Sequence, residues 1–548
     1  MTPWQRFVGL LKLDRREIRQ IIFYAIFAGL VALSLPLGIQ AIINLIQGAQ
    51  ISTSWIVLVV LVTLGVLFQG VLQLMQIRIL ENIQQKIFMR SSFEFAYRFP
   101  KIKMSALRNY YPPELANRFF DTITVQKGLS KVLIDFPAAA LQIIFGLLLL
   151  SFYHPFFIIY GLVLVLLIYL VFKFTLQKGL DTSLEESKAK YRVAHWIQEV
   201  ARSIISFKLS GRTKFAMERN DHLTNEYLEA RESHFKILLL QFSQMVGFKL
   251  FVTAGLLVIG GLLVLNQQMN IGQFVAAEII ILLIINSVEK LITGLETFYD
   301  ILTSLEKIGQ VVDKELEAQE GMTSLGDAKE LYIELKKIGY TTPEGKTILN
   351  NINLDLDPKD RVVLLGGPGA GKTTFLKLVS GLLTATEGSF YVNDMAFQGI
   401  APNDYRSHVS QVLPDQLPFE GTIKENITLN DPSITDQKLN DTLKVVGLFD
   451  FVKEQPYGLN TILYPEGQQI PRTVAKRIVL ARAIVNDPKL LLLKDPLEYF
   501  DPQEAQRIMD YLLAPERPWT LVVSSRNPNW QTKCNRTITI ANGTLVNS

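Results

Sequence analysis

The sequence predicts a membrane all-α unit of six helices followed by an α/β domain built on a glycine-rich phosphate loop. Three observations carry this: six apolar runs of spanning length, a change of character after about Asp313, and the segment Gly366–Thr373 set between a strand-like and a helix-like stretch. At 548 residues the chain has room for several domains, so one compact core is not expected. Hydrophobic residues make up 49% and the mean hydropathy is +0.23, high enough to call for a membrane test first. The net charge of +4 is small, and nucleic acid is not an expected partner. The single cysteine, Cys534, excludes an internal disulfide framework and any Cys-cluster metal site.

About 20 helical residues cross roughly 30 Å of hydrocarbon. Six runs meet that length, approximately Ile21–Ile46, Trp55–Met75, Phe136–Phe152, Pro155–Phe172, Ile237–Leu265 and Gly272–Val288. Only Tyr153 and His154 separate the third from the fourth, which predicts a tight hairpin. The first run is too long for a cleavable signal peptide, and no small-residue cleavage site follows it. Charge gives the orientation. Gln47–Ser54, Tyr153–His154 and Asn266–Ile271 contain no Lys or Arg, whereas the stretch holding Arg6, Lys12, Arg15, Arg16 and Arg19 and the long connections 76–135 and 173–236 are basic. Basic residues near span ends stay inside, so both termini are expected in the cytoplasm of a multi-pass protein that meets membrane lipids.

Trp4–Leu13 alternates apolar and basic residues at helical spacing and reads as an interfacial helix. Trp196–Met217 reads as the continuation of a span beyond the bilayer. Lys249 and Glu278 fall inside apolar runs, where a charge commonly faces a cavity or a partner. The alternative, that both lie near enough to an interface to snorkel, stays open.

Residues 1–313 are thus assigned to the membrane unit, 314–329 to a polar linker with Gly321 and Gly326, and 330–548 to the cytoplasmic domain. There, strand-like Leu331–Leu335 and Ile348–Leu356 precede the apolar run Arg361–Leu365. That run meets Gly366-Gly367-Pro368-Gly369-Ala370-Gly371-Lys372-Thr373, the pattern G-x-x-x-x-G-K-[ST], and then helix-like Thr374–Leu383. Strand, glycine loop and helix in that order let backbone N–H groups curl around phosphates at a helix N-terminus. Lys372 is expected at the β- and γ-phosphates, with Thr373 as a Mg²⁺ ligand.

Six spans, two long inner connections and this loop resemble the ABC exporters, and among them those paired with type I secretion systems. The resemblance implies a six-helix exporter domain fused to a P-loop NTPase domain that binds ATP. Residue by residue, Tyr340 matches the aromatic that stacks on adenine, and Gly366–Thr373 matches the Walker A segment, with Thr374 beside it among the expected nucleotide-binding residues. Gln411 matches the glutamine that contacts Mg²⁺ and couples to the membrane helices. Gly421–Ile427 and Arg477–Val485 match the family's further patterns.

Other positions depart from the pattern. Counting back from Arg477, the family's Leu-Ser-Gly-Gly-Gln signature falls on Ile470-Pro471-Arg472-Thr473-Val474, where Pro471 lacks both hydroxyl and N–H. A register through Glu466-Gly467-Gln468 needs an insertion. The Walker B carboxylate pair falls on Lys494-Asp495 after the apolar Leu490–Leu493, with Asp501 as the following D-loop aspartate. Two unit charges about 4 Å apart interact by roughly 4 kcal/mol at an effective dielectric of 20, so a reversed sign at position 494 matters. A register shifted by one restores the aspartate and puts Pro496 at the glutamate. Asp495 is then a vestigial catalytic carboxylate. The switch histidine, expected near Ser525 or Arg526, is absent, since all five histidines lie at or before His408.

The resemblance implies dimers in which each composite site joins the Walker A loop of one subunit to the signature of the other. The expectation is therefore the hydrolysis-impaired half of a heterodimeric exporter, with a second exporter half as partner and a membrane-fusion protein as a further one. Two alternatives are a non-hydrolysing nucleotide-binding scaffold and an active homodimeric exporter.

Overall fold

The computed structural model describes residues 1–47, 53–318 and 323–547. Residues 48–52 of the first uncharged connection, 319–322 of the linker and Ser548 lie outside the described residues. The chain divides into two units, Met1–Pro100 with Asn109–Lys314, and Lys101–Arg108 with Glu315–Ser548.

The first unit opens with α1 (Pro3–Leu13), whose start is fixed by a capping box between Thr2 and Gln5 and by Pro3 at the first helical position. The first span is two helices, α2 (Arg15–Ala32) and α3 (Ser34–Gln47). Pro36 has no N–H to return to the Ala32 carbonyl, which accounts for the break between them. The 46-residue α4 (Thr53–Arg98) carries the second span, and the short α5 (Met104–Leu107) follows it within the second unit. The chain then enters α6 (Pro112–Ala116), α7 (Asp121–Ser130) and α8 (Phe136–Ser151), with a π-helical turn at Lys131–Asp135. α9 (Phe156–Arg202), α10 (Ile204–Leu209), α11 (Phe215–Leu265) and α12 (Ile271–Val312) complete the unit. Among the described residues, six helical stretches are long and apolar enough to cross a membrane; four of the expected runs lie within them, and the third and fourth overrun theirs by one residue, Phe152 and Pro155.

Two expectations change in detail. The hairpin between the third and fourth spans is Phe152–Pro155 rather than two residues, because α8 ends at Ser151. Trp196–Met217 is not one extension. α9 stops at Arg202 and α11 starts at Phe215, with the six-residue α10 between them, so the segment is an elbow. Serines at 203 and 210 end these helices, consistent with a side chain that competes for backbone hydrogen bonds.

α12 is the most buried spanning helix and packs against α3, α7, α8, α9 and α11. Glycines at its crossings admit bulky partners: Gly146 meets Ile280 and Ile284, and Gly179 meets the Tyr299 ring. Close approach of this kind is the main source of helix association in lipid, where apolar burial gives little. Internal hydrogen bonds tie the helices together, as where Gln241 Nε2 donates to Thr175 Oγ1 at 3.0 Å and to Tyr299 Oη at 2.8 Å. Lys249 also has a partner that its own segment does not reveal, Glu289, with Nζ 2.7 Å from Oε2. Glu278 is exposed. Along α4, Leu61, Leu67 and Leu74 are exposed, as a lipid-facing surface requires.

The second unit carries β1 (Ile333–Thr341), β2 (Thr347–Leu356), β3 (Arg361–Leu365), β4 (Glu387–Val392), β5 (Met395–Ala396) and β6 (Val409–Val412). Further along come β7 (Gly421–Thr422), β8 (Ile462–Leu463), β9 (Leu490–Lys494), β10 (Thr520–Ser524), β11 (Arg536–Ala541) and β12 (Thr544–Asn547). Six strands form one sheet in the order β12-β11-β3-β10-β9-β6, parallel except for edge strand β12. The unbroken apolar run Leu490–Leu493 suits a central parallel strand covered on both faces. An antiparallel sheet, β2-β1-β4-β5, lies beside it, and β7 and β8 form a two-stranded ribbon. The helices are α13 (Lys372–Val379), α14 (Pro402–Ser407), α15 (Ile423–Thr428), α16 (Asp436–Val445), α17 (Phe449–Glu454), α18 (Arg472–Ile484), α19 (Pro502–Leu513) and α20 (Asn529–Lys533).

Trp519 is fully buried at the start of β10, and its indole N–H donates to the Leu512 carbonyl at 2.9 Å. The Trp519 carbonyl in turn accepts from Arg361, whose buried guanidinium also bonds the carbonyls of Lys359 and Ala514 at 3.0 Å. Trp519→Ala therefore opens a cavity and strands an acceptor. It is expected to cost about 3–5 kcal/mol, read as a lowered melting temperature of the full-length protein, with Trp519→Phe losing clearly less.

Candidate phosphate-binding site

The glycine loop leaves β3 and enters α13 through residues that only a small side chain tolerates. Gly369 and Gly371 are left-handed, at φ +76° and +103°, and a side chain on Gly371 would meet Leu349 and Ile348. The loop is open to solvent, and its N–H groups and the start of α13 face one cavity of about 770 Å³. That cavity is lined by Gly366, Pro368–Thr374, Lys494, Asp495, Ser524, Ser525 and Arg526, with Lys346 and Ile348 from the β1–β2 hairpin. Gly367 belongs to the same turn and accepts, with Gly366, from the Lys372 ammonium at 2.8 and 2.6 Å.

The remaining lining follows from strand order. β10 is the neighbour of both β3 and β9 in parallel register, with Ser524 opposite Lys494, so the residues after each strand reach the same edge. Lys494 closes β9, and its ammonium donates to Thr373 Oγ1 at 2.6 Å. Asp495 follows in a left-handed conformation at φ +45°, uncommon outside glycine, and its N–H donates to the Ser524 carbonyl at 2.8 Å. Arg526 and Lys346 add two further cations. Burial pulls the Lys372 ammonium below its ordinary value, and Lys494 and Arg526 pull the same way against Asp495. The cavity is thus built for a polyanion, with the glycine loop and four cations against one carboxylate.

Two expected residues are not brought here. Tyr340 is buried in β1 opposite Leu349, within the apolar core of the antiparallel sheet, so its ring has no free face at the glycine loop. It lines a separate cavity of about 560 Å³ with Thr341, Pro343 and Leu383. Gln411 sits in β6 and does not line the cavity. Its side-chain nitrogen and oxygen are shielded from solvent without a hydrogen-bond partner. Sequence reasoning in turn missed Lys346, which only the hairpin geometry places, and treated Arg526 merely as the site of a missing histidine.

A Mg²⁺ ion at Thr373 and Gln411 does not fit this arrangement. Lys494 already engages the Thr373 hydroxyl, Gln411 does not line the cavity, and a divalent ion about 4 Å from an ammonium is repelled by roughly 8 kcal/mol at an effective dielectric of 20. Among the described residues no group of three His, Cys, Asp or Glu side chains could hold a metal.

The segment Ile470–Val474 stands at the start of α18. Pro471 is its N-cap and makes no side-chain cap, and both Pro471 and Arg472 are exposed. Glu466-Gly467-Gln468 lies before the helix, around a 3₁₀ turn with Gly467 buried, so that register puts no glycine at the helix start. Asp501 caps α19, accepting from Gln503 N–H at 3.0 Å. Burial pushes the Cys534 thiol up to about 11, which leaves it unreactive.

Residues 18–288 match the model of the ABC transporter transmembrane region, and residues 349–498 match that of the ABC transporter domain. The chain is 28% identical over 289 residues to a leukotoxin translocation ATP-binding protein, LktB, of Mannheimia haemolytica, covering 53% of this chain and 41% of that protein. The protein of that name from Bibersteinia trehalosi is 27% identical over the same length. The chain spans less than half the length of these relatives. In structure it is similar to a bacterial Atm1-family ABC exporter with ATP bound, at a TM-score of 0.84 and 14% identity, over 97% of this chain and 94% of that one. That likeness gives the fold, six long apolar helices followed by an α/β domain.

Inorganic triphosphate is the probe that isolates the charge of this cavity. A charge-assisted hydrogen bond contributes about 1.5–3 kcal/mol, so Arg526→Ala should weaken its binding to the full chain roughly tenfold or more, measured by calorimetry at low salt.

Proposed function

The chain belongs to the ABC transporter family, and we propose that it is the ATP-binding, hydrolysis-impaired half of a heterodimeric exporter. The observation that carries this is the hydrogen bond from Lys494 to Thr373: an ammonium occupies the place of the first Walker B carboxylate, leaving Asp495 alone. A glutamate that positions an attacking water is one methylene longer than Asp495, and a displacement of about 1 Å can cost on the order of a hundredfold in rate.

ATP would lie with its phosphates on Gly366–Thr374 and its charge on Lys372, Lys494 and Arg526. Tyr340 is not available to the adenine. The signature residues act on the opposite subunit's nucleotide. Here Pro471 and Arg472 offer no serine hydroxyl and no glycine backbone to it. A homodimer would therefore repeat both defects in both sites, whereas a partner with complete Walker motifs would keep one hydrolytic site. Closure and reopening of the pair around ATP would drive alternating access in the joined membrane units. The relatives named for leukotoxin translocation support outward transport across a bacterial inner membrane, and a membrane-fusion protein is the further partner this suggests; the basic N-terminal stretch and long connections support both termini cytoplasmic. The division into residues 1–313, 314–329 and 330–548 belongs to the same proposal.

Purified alone, the chain should bind a non-hydrolysable ATP analogue, and Lys372→Ala should abolish that binding. Its steady ATPase rate should not exceed the Lys372→Ala background. A rate above background would refute impairment and favour an active homodimer. Pull-down from native membranes should bring a second exporter half with intact motifs; its absence would favour a nucleotide-binding scaffold. Groups that act as a unit are strongly non-additive. Asp495→Glu alone should thus recover little turnover, and full turnover from that one change would overturn the role given to Lys494.

A further inference from the structure

Resting on the nucleotide-binding reading of this cavity, we infer that it holds a nucleoside triphosphate without a divalent cation, the Lys494 ammonium filling the metal's place. Three independent features lead here. The Thr373 hydroxyl, the loop's own metal ligand in a P-loop, accepts from Lys494 at 2.6 Å. Mg²⁺ demands six oxygens at about 2.0–2.1 Å in near-octahedral order, and an ammonium on the same oxygen obstructs that shell sterically and by charge.

The second feature is the stem of Lys494. It closes β9, with its backbone in register opposite Ser524, so the side chain starts from a central strand and not from a mobile loop. The third is charge balance. A triphosphate carries about four negative charges, and Lys346, Lys372, Lys494 and Arg526 with the start of α13 meet them, Asp495 being the only carboxylate in the lining. Adding a divalent ion would leave the closed site with excess positive charge. An ammonium with three donors can bridge Thr373 and the β- and γ-phosphate oxygens as a metal would, though with weaker polarisation of the γ-phosphorus.

The inference separates retention of nucleotide from its hydrolysis. It predicts a site that stays loaded under conditions that empty a metal-dependent one. The measurement is ATP affinity of the full-length protein in nanodiscs, by calorimetry, with excess Mg²⁺ and with EDTA. The dissociation constant should differ by less than about threefold between the two. Lys494→Met, which keeps the stem and removes the charge, should weaken binding in EDTA at least tenfold. Lys494→Asp should make binding metal-dependent, with at least tenfold between Mg²⁺ and EDTA. Unchanged melting temperatures of both variants guard against misfolding, and the wild-type comparison decides alone if a variant fails to fold. Tenfold or greater weakening of the wild type on chelation overturns the inference and leaves nucleotide binding standing. Unchanged EDTA binding in a folded Lys494→Met also overturns it. Absence of binding in both conditions overturns the nucleotide reading and this inference together.

Discussion

Three neighbouring parallel strands that end at one edge are the constraint on which the site depends. β3 delivers the glycine loop, β9 delivers Lys494 and Asp495, and β10 delivers Ser525 and Arg526. Because β10 pairs with both of the others, none of these groups can move along the strand direction without breaking main-chain hydrogen bonds. Substituting a residue at a strand end therefore changes the chemistry of the edge but not its geometry. The glycine loop gives the cavity its shape, while the residues that close β9 and follow β10 set its charge. Shape and chemistry are held by different residues, which is why one can decay and the other persist.

What the sequence disclosed follows the range over which each signal acts. Spans, the β3 strand and the glycine loop are local patterns, and Arg361–Leu365 appears in the structure with the same bounds. Pairings between distant segments were hidden. Lys249 finds Glu289 only because α11 and α12 pack side by side, and Lys346 reaches the cavity only through the turn of the β1–β2 hairpin. Tyr340 illustrates the opposite error. An aromatic at roughly the right spacing from the loop looks like a stacking residue, yet its strand turns that side chain toward the core. Gln411 agrees in residue type and spacing, while its amide atoms are buried without a hydrogen-bond partner and do not line the cavity. The elbow at 203–214 was missed because helix formers on both sides mask a short reversal.

The two units solve burial in different solvents. In the α/β unit Trp519, Trp530, Leu490–Leu493 of β9 and strand β10 sit inside, and the two terminal nitrogens of the buried Arg361 donate to carbonyls, so apolar transfer from water supplies the cohesion. In the helical unit most of the apolar surface of α4 faces outward, and cohesion comes from close crossings at Gly146 and Gly179 and from internal hydrogen bonds such as those of Gln241. Adding bulk at those glycines and removing bulk at Trp519 are thus equivalent injuries in the two environments.

The left-handed backbone at Asp495 bears on any repair of the site. Short polar side chains such as aspartate are tolerated at φ +45° because they can bond locally, and a longer side chain gains no such bond there. With the Asp495 N–H tied to the Ser524 carbonyl, a glutamate at this position would be aimed by the turn as well as by its own length. Side-chain length alone therefore does not decide where a carboxylate at position 495 would reach.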